Sequence, residues 1–306
     1  MDIVAVKAVL KDDNVSFFNA AAWPKKGTKN IILIGRELSQ KGAFGEPDIG
    51  RIVLYEIDSG DEIVRKRVVW EPVYESLYLE DPRALVYKDG RVVIGLTAVL
   101  RTKNGIQTFP ALTSADNGMT SSLSPITLIQ AFGLGKNTTP LLENYFLFRP
   151  EGENFNHRFL VFYYKDFLLK EVGLLSLPKD LSWASWRMGT GCPPIWLDKY
   201  KAIFIIHGIS VKNGKYVYSI GVSLLEKRGE EFSLRVYPQP ILTQETLKQK
   251  IKIRELRPSL RRVVYVCGGV VKNAEPSLLH LYVNVGDCST YDVTFRLKDL
   301  KRLFDL

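Results

Sequence analysis

Short apolar and aromatic runs, separated by turn residues, recur along the whole chain, and that rhythm constrains the fold more than any other feature. Strand-length runs rich in β-branched and aromatic residues occupy 31–34, 52–55, 63–70, 85–87, 92–100, 145–148, 159–164 and 167–177. They continue at 202–206, 216–225, 232–236, 263–271, 278–285 and 291–295. Lys88-Asp89-Gly90-Arg91 and Lys212-Asn213-Gly214-Lys215 each place a glycine-containing turn between two such runs, the local mark of an antiparallel hairpin. Helical periodicity is confined to part of 243–256 and to 297–303, where Leu297, Leu300 and Leu303 form one stripe. The expectation is an all-β protein: a propeller, a large sandwich or two barrels. Roughly twenty short strands and no central linker would suit five four-stranded blades, a single five-bladed β-propeller domain over residues 1–306 with a short C-terminal helix, but strand count alone leaves the sandwich and the barrels open. Segments 24–30, 102–105 and 272–276 read as surface turns. The Ser-, Thr-, Asn- and Gly-rich stretch 113–139 reads as lining a site or touching a partner subunit.

Composition narrows the function classes. The chain has 306 residues, 46% of them hydrophobic and 25% charged, enough for a sizeable core. No apolar run approaches the roughly 20 residues of a membrane helix, and the N-terminal residues lack a signal-peptide pattern, so a cytoplasmic protein without membrane association is expected. Three cysteines and three histidines, widely spaced, indicate neither a disulfide framework nor a zinc site. The 42 Lys and Arg against 33 Asp and Glu give a net charge of +9. These cations are spread without a tract or recognition-helix pattern, so nucleic acid is not an expected partner; Arg257, Arg261 and Arg262 are the densest group.

Two clusters have the composition of a site. In Glu80-Asp81-Pro82-Arg83 the proline holds Asp81 extended, Arg83 can pair with a carboxylate, and a neighbouring like charge raises the affinity of an acid for its proton. Such an acid suits proton donation, although the same four residues also describe an ordinary strand-edge turn. Gly189-Thr190-Gly191-Cys192-Pro193-Pro194 follows Arg187, and His207-Gly208 closes the next strand. This glycine-rich stretch has neither the Walker lysine spacing nor a GxGxxG before a helix, so it is not a nucleotide loop.

Taken in order, these segments and several others resemble glycoside hydrolase family 130, the five-bladed propellers that include β-mannoside phosphorylases and related mannosidases. The resembling elements are Phe18-Asn19-Ala20-Ala21, Leu33-Ile34-Gly35-Arg36, Glu80-Asp81-Pro82-Arg83-Ala84, Leu96-Thr97-Ala98 and Thr113-Ser114-Ala115-Asp116. Further along come Lys136-Asn137-Thr138-Thr139-Pro140, Phe148-Arg149-Pro150, Arg187 through Ile195, Ile206-His207-Gly208, Val266-Cys267-Gly268 and Tyr282 through Asp287. Ala20, Gly35, Phe148, Ile206, Asn284 and Gly286 depart from the family pattern.

The resemblance implies that Asp81 is the single catalytic acid, passing its proton to the glycosidic oxygen directly or through a sugar hydroxyl. It implies that Asn19, Arg36, Glu80, Arg83, Asp116 and Asp287 hold the sugar, and that Lys136, Asn137, Arg149, Arg187 and His207 hold phosphate. The implied activity is inverting phosphorolysis of β-mannosides or related β-glycosides to a sugar 1-phosphate. It needs no metal or organic cofactor, takes inorganic phosphate as co-substrate, and comes with homo-oligomers in many relatives. Chemistry agrees with that allocation, because an inverting hydrolase needs a second carboxylate to activate water, whereas phosphate arrives anionic and needs cations to aim it. A β-mannosidase-type hydrolase on the same fold and a non-catalytic carbohydrate-binding propeller are the alternatives.

Overall fold

The computed structural model describes residues 2–10, 16–40, 49–72, 76–118, 123–251, 262–272 and 277–306. They form five antiparallel sheets arranged as a five-bladed β-propeller. Strand β1 (Ala5–Ala8) lies apart from the first blade and is considered below with the last. Blade I is β2 (Phe17–Pro24), β3 (Ile31–Gln40), β4 (Ile49–Ile57) and β5 (Ile63–Trp70). Blade II is β6 (Leu77–Val86), β7 (Arg91–Thr102), β8 (Gly105–Asp116) and β9 (Thr127–Leu128). Blade III is β10 (Gly135–Leu142), β11 (Tyr145–Pro150), β12 (Arg158–Lys165) and β13 (Leu168–Ser176).

Blade IV follows β14 (Arg187–Thr190), β16 (Lys201–Lys212), β17 (Lys215–Arg228) and β18 (Glu231–Val236), with the short β15 (Ile195–Trp196) and β19 (Leu242–Thr243) paired to β16 and β17. Blade V is β20 (Val264–Lys272), β21 (Leu278–Val285) and β22 (Ser289–Arg296), and β1 completes it by pairing Ala5 with Thr294 and Ala8 with Tyr291. A strand from the opposite end of the sequence thus closes the ring.

The apolar runs are continuous because a blade is covered on both faces by its neighbours, so both sides of each inner strand face apolar surface. Five buried clusters follow, one at each blade interface. Trp23, Ile34 and Leu54 meet Ile94 and Leu96 between blades I and II, and Val93 and Leu112 meet Phe146 and Phe162 between II and III. Phe159 and Val161 meet Phe204 and Ile206 between III and IV, Ile205 and Val222 meet Val264 and Val283 between IV and V, and Tyr282 and Val270 meet Phe17 and Leu33 between V and I. Helix α1 (Gln244–Lys248) is capped by Thr243 and buries Leu247, and helix α2 (Leu297–Arg302) docks Leu297 and Leu300 on the same interface as blades IV and V.

Both expected hairpins form. At Asn213-Gly214 the φ angles are 53° and 68°, the left-handed pair that a two-residue hairpin requires. The described part of 113–139 holds the end of β8, all of β9 and the start of β10 with non-strand segments at 123–126 and 129–134, and two of its residues, Lys136 and Asn137, line a cavity. The run at 167–177 is corrected at its start, because Phe167 sits at the hairpin tip, 90% exposed, and β13 begins at Leu168. The outer part of the helix expected within 243–256, the turn residues 273–276, Arg257 and Arg261 lie outside the described residues.

Candidate active site

Strands β2, β6, β10, β14 and β20 pack around the propeller axis. Three of them carry the same irregularity, in which two residues oppose one on the adjacent strand: Asn19-Ala20 in β2, Asp81-Pro82 in β6 and Asn137-Thr138 in β10. The first residue of each pair is left-handed, with φ of 57°, 53° and 62°, which corrects the extended backbone expected for Asp81 ahead of Pro82: the bulge overrides the proline's preference. Asn and Asp tolerate this region better than other side chains, which accounts for the residue types. The bulges bring three side chains from three blades together. Asn19 Nδ2 donates to Asp81 Oδ1 at 2.6 Å, and Asn137 Nδ2 donates to Asp81 Oδ2 at 3.1 Å. Tyr265 of β20 adds a donor, its hydroxyl 3.3 Å from Asp81 Oδ1. Burial and the nearby Asp81 charge push the Tyr265 hydroxyl well above its usual range, so it stays protonated.

A cavity of about 410 Å³ opens over Asp81. Blades I, II and V bring Arg36, Glu80 and Asp287 to its lining. Arg36 lies 3.2 Å from Glu80 and over the ring of Phe18. Burial opposes charge on Glu80, but Arg36 and Lys136 hold its carboxyl below the usual carboxylate range. Burial likewise opposes the Arg36 charge, and Glu80 and Asp81 outweigh it to raise that guanidinium. Asp287 follows Gly286 in the β21–β22 turn and accepts from Asn284 Nδ2 at 2.7 Å. Burial pushes it up to about 6 against that bond and the Arg36 charge.

Blades III and IV bring Lys136, Asn137, Arg149, Arg187 and His207. Lys136 and Arg149 are register partners on β10 and β11. Arg187 is fixed by Nε donation to Asn156 Oδ1 at 2.8 Å and by stacking over Trp186. Burial, with Arg187 beside it, lowers Arg149 to about 10, which leaves it charged at neutral pH. His207 is not a cation: burial, Arg83 and Arg149 push it down to about 3. It borders Gly189, where a Cβ would lie 2.3 Å from the imidazole and 2.8 Å from Asn137 Oδ1, so only glycine fits. Asn137 is held in place by its backbone, the N–H bonded to Thr97 Oγ1 and the carbonyl to Thr139 and Thr190.

Three buried polar atoms of the lining residues have no hydrogen-bond partner among the described residues, Asn137 Oδ1, Arg149 Nε and His207 Nδ1, and Asn19 Oδ1 and Asn284 Oδ1 lie on residues bonded to Asp81 and Asp287. Native proteins leave few such groups unmet, and here they gather at one place, which marks it as built for a polar ligand.

Three residues expected to hold sugar are not among the lining residues; one of them, Asn19, is buried and meets the site through its bond to Asp81. Arg83 is fully buried and spends its donors on three backbone carbonyls: Gly191 at 2.7 Å, Asp81 at 2.7 Å and Thr190 at 3.1 Å. It bolts blade II to the glycine-rich segment of blade IV. Asp116 pairs in register with Arg91 beside the β6–β7 turn and is not among the lining residues. Seven lining residues had no counterpart among the expected site residues: Ile209, Val263, Tyr265, Tyr218, Tyr216, Trp186 and Glu151, the last accepting from Thr108 Oγ1 at 2.8 Å. Strand periodicity alone gave no signal for them, since aromatics recur throughout these blades. Cys192, Cys267 and Cys288 are free and buried. Among the described residues no group of three or more His, Cys, Asp or Glu is placed to hold a metal ion, and no helix is long and apolar enough to cross a membrane.

No protein-family model matches the chain, and no curated protein matches it. Solved structures do. The β-1,2-mannobiose phosphorylase of Listeria innocua, in complex with β-1,2-mannobiose, superposes with a TM-score of 0.67 at 16% identity, over 99% of this chain and 94% of that one. A structure reported for the GH130 family of mannoside phosphorylases, which contains glycoside hydrolases that target β-1,2-mannosidic linkages in Candida mannan, gives 0.66 at 16% identity over 93% and 85%. A mannose phosphorylase of Leishmania mexicana, in complex with a phosphate ion, gives 0.65 at 14% identity over 97% and 89%. The chain carries the fold of the glycoside hydrolase family 130 propellers.

Proposed function

We propose that this protein is a divergent glycoside phosphorylase of that family, inverting, acting on β-mannosides or related β-glycosides, with the whole propeller as its catalytic unit. The observation that carries this reading is that Asp81 shares one cavity with the cations Lys136, Arg149 and Arg187 and with Arg36, Glu80 and Asp287. Asn19, Arg36, Glu80 and Asp287 hold the hydroxyls of the donor ring. Lys136, Arg149 and Arg187 collect inorganic phosphate, and neutral His207 and Asn137 add hydrogen bonds without charge.

A phosphate oxygen attacks the anomeric carbon as the bond to the leaving oxygen breaks. That oxygen takes the Asp81 proton, directly or through a sugar hydroxyl. The products are a sugar 1-phosphate and the free acceptor. Asn19 and Asn137 hold the carboxyl from two blades, so its oxygens cannot rotate out of line.

Incubating a mannosyl disaccharide with and without phosphate tests the reading; sugar 1-phosphate formed only with phosphate is the expected result, and phosphate-independent release of free sugar refutes it. Asp81→Asn should lower turnover by about 100-fold or more while sugar binding survives. Equal activity in that variant removes Asp81 from the chemistry.

Hydrolysis is the second reading, favoured by one observation. Glu151 lines the same cavity as the cations, and a carboxylate there supplies the base that an attacking water needs. Under that reading Glu151→Gln abolishes release of free sugar, whereas under phosphorolysis the same variant still yields sugar 1-phosphate.

A further inference from the structure

The β12–β13 hairpin ends in a residue that its own chain does not use. Asp166 and Phe167 form its two-residue turn with φ of 48° and 66°, the left-handed pair for which glycine is the usual second member. A phenylalanine there is strained, and its ring, 90% exposed, gains almost no cover in return. Leu168, the next residue, is exposed as well.

Beside this tip lies a cavity of about 200 Å³ between blades II and III. Tyr87, Phe146 and Tyr164 give it aromatic surface, and Lys165 and Asp166 carry its lining to the base of the tip. A cavity of roughly 150 Å³ takes a benzene ring, so there is room here for a phenyl group. The charged lining residues are Arg91 and Lys165 against Glu143 and Asp166, a balanced set on a chain whose net charge is +9.

We propose that two copies of the chain meet at this face, each Phe167 inserting into the cavity of the other. Knob and hole sit side by side on one surface. A two-fold axis between them makes both insertions at once, the self-complementary arrangement that a symmetric dimer requires. The balanced lining lets two basic molecules approach at this patch, whereas the net charge opposes contact elsewhere. Insertion takes two aromatic rings out of water and accounts for a strained turn that the monomer leaves without a purpose.

Such a dimer leaves the Asp81 cavity open. Successive strands of a blade are antiparallel, so turns from first to second and from third to fourth strand lie on one rim of the propeller, and turns from second to third lie on the other. Phe167, Asn144 and Tyr87 belong to the first rim; Asp287 and Tyr216 stand at the second. The inference is therefore independent of the catalytic reading.

The test is sedimentation velocity across the micromolar range. The wild-type chain should dimerise. Phe167→Gly removes the knob and gives the turn the residue it favours, so Tm at dilution should not fall, which separates loss of the knob from loss of the fold. Each insertion is worth about tenfold or more in affinity, so losing both should weaken association by about 100-fold. Ser114→Trp, or Pro125→Trp at the more exposed position, blocks the hole and should weaken it equally. Mixing a knob variant with a hole variant restores one insertion, and the mixture should associate about tenfold more tightly than either variant alone. A wild-type chain that stays monomeric overturns the inference and leaves the tip to a different partner. So does association that survives Phe167→Gly, or a mixture that associates no better than its components.

Discussion

Replacing Arg83 with methionine separates a bolt from a ligand. The side chain is fully buried and donates to the carbonyls of Gly191, Asp81 and Thr190. Methionine keeps most of the stem's bulk but strands all three acceptors. A buried acceptor left unpaired costs about 1–3 kcal/mol; relief from burying the guanidinium offsets part of the sum. The net destabilisation should be about 3–6 kcal/mol, well above that of an ordinary substitution. An unfolding entropy of roughly 2.1 cal/mol/K per residue, applied to 306 residues, converts this to a fall in Tm of about 5–9 °C. The measurement is a thermal scan beside urea unfolding, with Arg83→Lys as the variant that keeps charge and loses the fork, expected between the two. An unchanged Tm in Arg83→Met together with a raised KM for the sugar would refute the reasoning and return Arg83 to the ligand shell.

The other predictions concern the cavity itself. His207 is depressed from 6.5 to about 3, so between those values the unfolded chain binds the extra proton and stability falls on acidification; Asp287 is raised from 3.8 to about 6, so between those values the folded chain binds it and stability falls as pH rises. In the wild type the two slopes oppose each other between about pH 4 and 6. Asp287→Asn should therefore expose a rise of up to about 1.4 kcal/mol per pH unit, and His207→Gln a fall of similar size, both read by urea unfolding. Identical pH profiles in all three proteins would show that neither group is perturbed. Gly189→Ala drives a methyl into the His207 ring and Asn137, so turnover should drop on the order of 100-fold with the circular dichroism spectrum intact. Arg187→Ala should weaken phosphate binding by about 10-fold or more and leave sugar affinity in place, as measured by separate titrations.

The fold class was legible because turn chemistry is local. Asn213-Gly214 and Asp89-Gly90 specify hairpins by themselves, and a blade covered on both faces writes unbroken runs such as 202–206. The turn at Asp166-Phe167 was not legible, since it places a phenylalanine at φ 66° and no glycine marks it. The ordered motifs led to Asp81, Asn137 and the cations, which line one cavity, and to Asn19, which bonds Asp81 from behind it. Arg83 was misjudged because a guanidinium beside an acid looks alike in sequence whether its partners are hydroxyls or carbonyls more than a hundred residues away. Tyr216, Tyr218 and Tyr265 gave no signal for a related reason: they line one cavity only when blades IV and V meet.

The strand that completes blade V has a consequence for biosynthesis. Ala5 finds Thr294 only after nearly the whole described chain has been made. At about 5–20 residues per second, the first strand emerges roughly 15–60 s before its partner. Throughout that interval Phe17 and Leu33 of blade I lack the cover that Tyr282 and Val270 later give them. The nascent protein is an open horseshoe with a sticky edge, and its hazard is pairing with a neighbour on the same polysome before its own tail arrives.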